Sequence, residues 1–156
     1  MMLESGTMLS RYRIEGELGQ GQAGVVYRAF DTAIERIVAI KCLRTKASKV
    51  EREQADNLMA LQSEEAKVIG QLNHPHITAV FDMGVSGGVS YIVMEYVQGE
   101  TLKARLAPPR TDPASVPQIL SIIVMVARAL NYVHQRGILH GDIKPETIWY
   151  RDDDES

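Results

Sequence analysis

The stretch YRIEGELGQGQAGVVYRAF, residues 12–30, decides the fold. Its centre, Gly19 to Gly24, is a Gly-x-Gly-x-x-Gly, a spacing that by itself fits two different backbones. In one, the glycines lie between a strand and a helix whose N-terminus takes a pyrophosphate. Here Val25, Val26 and Tyr27 follow the last glycine, β-branched and aromatic with no helix start, so both flanks read as strands and the glycines form a hairpin tip. A tip without side chains can lay backbone N–H groups close over a phosphate. The plain alternative is a Gly-rich turn and nothing more.

Working outward, RIVAIKCLR at 36–44 is a third strand candidate after the polar connection DTAIE. From about 46 to 72, Leu58, Leu61, Val68, Ile69 and Leu72 recur near helical spacing in a charged segment, which predicts an amphipathic helix. Pro75 ends it, because it disfavours helical geometry at His74 and has no N–H to give. ITAVFDMG at 77–84 and VSYIVMEYV at 89–97 are two further strands joined through Gly87-Gly88. Then the pattern changes: LKARL at 102–106 is a short helix running into a Pro-rich loop, and 117–135 is a long helix stopped at Gly137. The predicted order is five strands with one inserted helix, then helices, an α+β arrangement.

The 156 residues, 45% hydrophobic, suffice for one domain or two small lobes. There are 17 Lys and Arg against 20 Asp and Glu, and RDDDES at 151–156 holds one Arg and four acids, leaving 16 of each sign in 1–150. A neutral body with no basic block argues against nucleic acid as partner, and the acidic tail reads as a solvated end. Cys42 has no second cysteine to pair with, and the opening MMLESGTMLSRYR lacks the basic start and apolar run of a secretory signal. Both fit a reducing, cytoplasmic setting. The longest apolar run, 119–130, is too short to span a bilayer and includes Ser121 and Arg128, so no membrane segment is expected in this chain. His74-x-His76 has no Cys or acidic neighbour and reads as a loop pair, not a metal site.

Two more features carry chemistry. Lys41 lies in Val38-Ala39-Ile40-Lys41, an apolar strand in which an ammonium is costly unless it meets a partner. Glu64 or Glu65 on the following helix could supply one, although a solvated helix face is the ordinary place for either. His140-Gly141-Asp142-Ile143-Lys144-Pro145-Glu146-Thr147 packs a carboxylate, an ammonium and a hydroxyl into one proline-stiffened loop. With the Gly-rich hairpin, strand lysine, helix glutamate and this loop in that order, the sequence resembles the eukaryotic-type protein kinase family, most of all its bacterial Ser/Thr members. HPHI at 74–77 resembles the segment after the family's αC helix, and YIVMEYVQGETL at 91–102 resembles its hinge. The resemblance runs from about Leu9 to Tyr150.

The resemblance implies a five-stranded antiparallel N-lobe sheet with an αC helix, followed by a partial helical C-lobe. The expected divisions are an N-terminal extension 1–11, N-lobe and hinge 12–97, partial C-lobe 98–150 and acidic tail 151–156. It implies ATP-dependent phosphoryl transfer to Ser/Thr hydroxyls of a protein substrate, with Mg²⁺ as cofactor. Gly19, Gly21 and Gly24 would cover the ATP phosphates, and Leu18, Val26 and Ala39 would pack on adenine. Lys41 would hold the α and β phosphates, positioned by Glu65, which the family's spacing back from His74 selects over Glu64. Met94 would be the gatekeeper, and the main chain of Glu95 and Val97 would bond adenine. Asp142 would accept the substrate hydroxyl's proton, and Lys144, which marks the Ser/Thr pattern, would neutralise charge on the transferred group.

Three positions depart from the family. Gly141 replaces the arginine that gathers a phosphorylated activation loop. Thr147 replaces the asparagine that binds the second Mg²⁺ and braces the catalytic aspartate, and a hydroxyl is a poorer, shorter metal ligand. Trp149 replaces a smaller aliphatic residue under adenine and would narrow the pocket. No Asp-Phe-Gly occurs in the 156 residues, and that aspartate is the family's principal Mg²⁺ ligand.

The chain therefore reads as a kinase interrupted before its metal site and a very poor catalyst alone. Its long helix points the same way: Ile119, Leu120, Ile122, Ile123 and Val124 cover most of its circumference, which predicts burial on all sides with little chain left to provide it. Leaving several of them wet forfeits several kcal/mol at about 25 cal/mol per Å². Self-association through that apolar surface is one expected consequence. The competing reading is a pseudokinase-like nucleotide-binding or protein-interaction module.

Overall fold

The computed structural model describes residues 3–21, 24–43, 70–107 and 116–151. Met1–Leu72 with Thr78–Tyr96 make one compact unit, and Asn73–Ile77 with Val97–Ser156 a second.

The first unit is an antiparallel sheet of β1 (Met8–Leu9), β2 (Tyr12–Gly21), β3 (Gly24–Asp31), β4 (Arg36–Leu43), β5 (Val80–Ser86) and β6 (Val89–Glu95), in the order β1-β2-β3-β4-β6-β5. The five predicted strands are present, and a sixth, β1, joins the edge of β2 where the sequence suggested only an extension. Two residues carry no alternation to read. The helix expected over 46–72, with Glu64 and Glu65, lies almost wholly outside the described residues.

Period-2 alternation sorts the sheet into two faces. On one, the register Val25, Cys42, Tyr91 and the next, Tyr27, Ile40, Val93, run straight across β3, β4 and β6. These residues, with Tyr12 and Ile14 of β2, form the buried core. Polar side chains at the rim of that face bond across the sheet. Tyr12 donates its hydroxyl to Asp82 at 2.6 Å. The buried Asp31 carboxylate accepts Arg11 Nε at 3.3 Å and the Ala33 N–H at 3.0 Å, fixing the turn from β3 to β4.

The second unit holds β7 (Gly99–Thr101), α1 (Leu102–Leu106), α2 (Val116–His134) and β8 (Trp149–Arg151), with β7 and β8 paired antiparallel. Gly99 must be glycine: its φ is +149° and a Cβ would fall 2.0 Å from the Tyr150 carbonyl oxygen. Thr101 caps α1 by accepting the Ala104 N–H at 3.1 Å. As predicted, α2 stops at Gly137, whose φ of +74° lets its N–H reach His134 O and the Ile138 N–H reach Val133 O. The segment 73–77 belongs here because the Asn73 N–H donates to Tyr132 Oη at 3.1 Å and the His74 ring packs on the Tyr132 ring. The chain leaves α2 poorly covered, as its sequence suggested: Leu120 and Ile123 are more than half exposed, and among the described residues of the helix only Val133 is buried. Among the described residues, no helix is long and apolar enough to cross a membrane.

Candidate active site

Within the first unit, the sheet face opposite the core gathers most of the predicted nucleotide residues. The register runs Gly19, Val26, Lys41, Ile92 across four strands, and the next row on that face runs Arg28, Ala39, Met94. Lys41 is thus flanked by Val26 and Ile92, a half-buried ammonium among apolar neighbours. Its expected partner Glu65 lies outside the described residues. Two register shifts interrupt β2, between Ile14 and Gly16 and between Glu17 and Gly19, so Leu18 is an extra residue without a partner on β3. A bulge of this kind bends a strand and re-aims a side chain, and Leu18 stands exposed at the start of the Gly-rich segment.

The three glycines of that segment have different reasons to be glycine. Gly24 has φ +153°, and a Cβ there would fall 2.0 Å from the Cys42 carbonyl oxygen on β4, so sheet packing requires it. A Cβ at Gly19 or Gly21 would meet nothing within 4 Å, so packing asks for neither. At the end of β6, the Glu95 N–H donates to Ala79 O at 2.9 Å, committing that donor to the fold. Val97 follows, half-buried, in the second unit.

Within the second unit, the loop 140–147 is closed on itself. Gly141 takes φ +74°, a left-handed turn that the family's arginine would hold only under strain. The Asp142 N–H reaches His140 Nδ1 at 3.3 Å, and Lys144 Nζ lies 2.8 Å from Asp142 Oδ1. That hydrogen bond, donated by Lys144 to the Asp142 carboxylate, raises the Lys144 pKa above its ordinary value. Thr147 Oγ1 bonds the Asp142 and Lys144 carbonyls at 2.9 and 3.0 Å and accepts the Lys144 N–H at 3.1 Å.

The loop is tied to α1 by long-range contacts that no local pattern reveals. Lys103 Nζ pairs with Glu146 Oε1 at 3.0 Å, the Lys103 N–H donates to Pro145 O, and the Leu102 N–H to Ile148 O. The Lys103 bond holds the Glu146 carboxyl below the usual range, helped by a backbone hydrogen bond. Arg105 pairs with Glu100 at 3.2 Å and stacks over the Tyr150 ring at 4.0 Å. Trp149 sits in β8 opposite Thr101, 48% exposed.

The family's Mg²⁺ does not fit the described residues. None of them form a group of three or more His, Cys, Asp or Glu able to hold a metal. The Asp142 carboxylate is engaged by Lys144, and the Thr147 hydroxyl by backbone.

Comparison with known proteins gives the family and the fold. The protein kinase domain family model matches residues 12–155. The chain belongs to the protein kinase family. Among its relatives are a protein named "Probable serine/threonine-protein kinase" from Clostridium acetobutylicum, 39% identical over 150 residues covering 96% of this chain and 22% of that protein. Another is the serine/threonine-protein kinase PknE of Mycobacterium tuberculosis, 34% identical over 96% of this chain and 25% of that protein. The kinase chain thus spans about a quarter of the length of these curated relatives. Among solved structures, the Mycobacterium tuberculosis PknI kinase domain superposes with a TM-score of 0.80 at 31% identity, over 98% of this chain and 60% of that one. These relatives bear out the bacterial-like Ser/Thr kinase resemblance and the α+β kinase fold.

Proposed function

We propose that the polypeptide carrying this chain is a protein serine/threonine kinase that transfers the γ-phosphoryl group of ATP to a Ser or Thr hydroxyl. The observation that carries the reading is the Asp142–Lys144 pair, a carboxylate and an ammonium 2.8 Å apart in a closed loop. In the transfer, the substrate oxygen bonds to the γ-phosphorus, the bond to the ADP oxygen breaks, and the hydroxyl proton passes to Asp142. Lys144 offsets the charge carried by the transferred oxygens, and its raised pKa keeps it cationic throughout the physiological range.

On the first unit, Lys41 takes the α and β phosphates, Gly19 and Gly21 bring backbone N–H groups over them, and Val26, Ala39 and Leu18 pack on adenine beside Met94. The freedom of Gly19 and Gly21 from any packing demand supports that use. Glu65 orients Lys41, and the main chain of Glu95 and Val97 meets the adenine edge. The reading places the protein in the cytoplasm, where ATP is available, and the exposed Leu120 and Ile123 of α2 support self-association.

Titration with ATP of the parent and of Lys41→Met tests the nucleotide site. The parent binds and the variant loses at least about tenfold in affinity, the factor of one charge-assisted contact. Equal affinity in the two, or none in the parent, would remove the assignment.

A further inference from the structure

We infer that Thr147 is a positioning residue that holds the Asp142–Lys144 loop closed through its hydroxyl and is not a metal ligand. Its catalytic consequence rests on the kinase reading above; its geometry does not. Three backbone groups converge on one oxygen: the Asp142 carbonyl at 2.9 Å, the Lys144 carbonyl at 3.0 Å and the Lys144 N–H at 3.1 Å. A hydroxyl has one proton and two lone pairs. The proton is shared between the two carbonyls, and one lone pair takes the amide.

The Thr147 N–H also donates to the Lys144 carbonyl at 2.9 Å, so the turn from 144 to 147 is closed twice by the same residue. A β-branched side chain has restricted χ1 freedom, which holds the hydroxyl in place at small entropic cost. Both functional side chains of the loop spring from the backbone that this oxygen ties together, at 142 and at 144. A hard dication seeks near-octahedral oxygen ligands at about 2.0–2.1 Å. At Thr147 it would find one remaining lone pair, beside a carboxylate already held by Lys144 Nζ. An asparagine in this position could brace the loop and still reach outward; threonine keeps the brace alone.

The test compares the full-length gene product with Thr147→Val and Thr147→Ser. The readouts are amide hydrogen exchange across 142–147, kcat and KM for ATP, and Mn²⁺ affinity by electron spin resonance titration. Thr147→Val is expected to speed exchange of the Lys144 amide and to lower kcat, each by up to about tenfold, the factor of one ordinary hydrogen bond. KM for ATP and Mn²⁺ affinity stay within about twofold. Thr147→Ser keeps the hydroxyl, restores exchange and kcat, and shows the fold intact. A loss of Mn²⁺ affinity in the valine variant that serine restores would overturn the inference, and so would unchanged exchange. If the parent transfers no phosphate, the kinase reading fails, while exchange and Mn²⁺ binding still decide the role of Thr147.

Discussion

Tyr12 shows how a single side chain joins distant parts of the sheet. Its ring is buried against Tyr91 while its hydroxyl reaches Asp82, seventy positions along the chain. Burial, and then the hydrogen bond to Asp82, raise its pKa above the ordinary value near 10. A group whose folded pKa lies above its unfolded one contributes stability fully below the unfolded value and loses it as pH rises through the folded value. The Tyr12–Asp82 bond therefore stabilises the sheet throughout neutral pH and fades only above about pH 10. Tyr12→Phe is expected to cost about 1–2 kcal/mol in urea unfolding at pH 7, and less above pH 10. The sequence showed Tyr12 as an apolar position in a strand, but not its partner, because pairing at that separation is a property of the sheet order. Thr147 was hidden in the same way: its identity was legible, while the partners of its hydroxyl, the backbone of Asp142 and Lys144, were not.

Strands with long alternation were readable from their sequence, and so were both ends of α2, where a loop-rich start and Gly137 bracket an apolar run. The elements that escaped are those made by their partners. β1, β7 and β8 have two or three residues each and exist through pairing. The bulges at Glu15 and Leu18 follow from the register with β3, which no local pattern on β2 reveals. The Gly-rich hairpin offers a test at this scale, because its glycines are held for different reasons. Gly24→Ala is expected to cost about 1–3 kcal/mol of stability from its backbone conformation alone, before the clash with Cys42 O is counted. Gly21→Ala should change stability by no more than about 0.5 kcal/mol and yet weaken ATP binding. Urea unfolding beside ATP titration separates the two effects, and equal stability losses would show that the sheet, not the ligand, requires both.

Across the whole molecule, most of the residues proposed to take the nucleotide fall on one sheet face of the first unit, while Val97, Trp149 and the loop proposed for transfer belong to the second. The order of the motifs along the chain made that division legible before any coordinates, since each motif is local. The exposed apolar face of α2 was legible too, from an apolar helix with too little chain to cover it, although which residues stay exposed depends on everything that packs nearby. Phosphoryl transfer from ATP is the role proposed for Asp142 and Lys144. The most direct measurement is transfer of labelled γ-phosphate to protein by the full-length gene product, with phosphoamino-acid analysis, beside Asp142→Asn. Label on Ser or Thr is expected from the parent, at a rate about 10²–10⁴-fold lower in the variant. Transfer that persists unchanged in Asp142→Asn, or label found on neither Ser nor Thr, would contradict it.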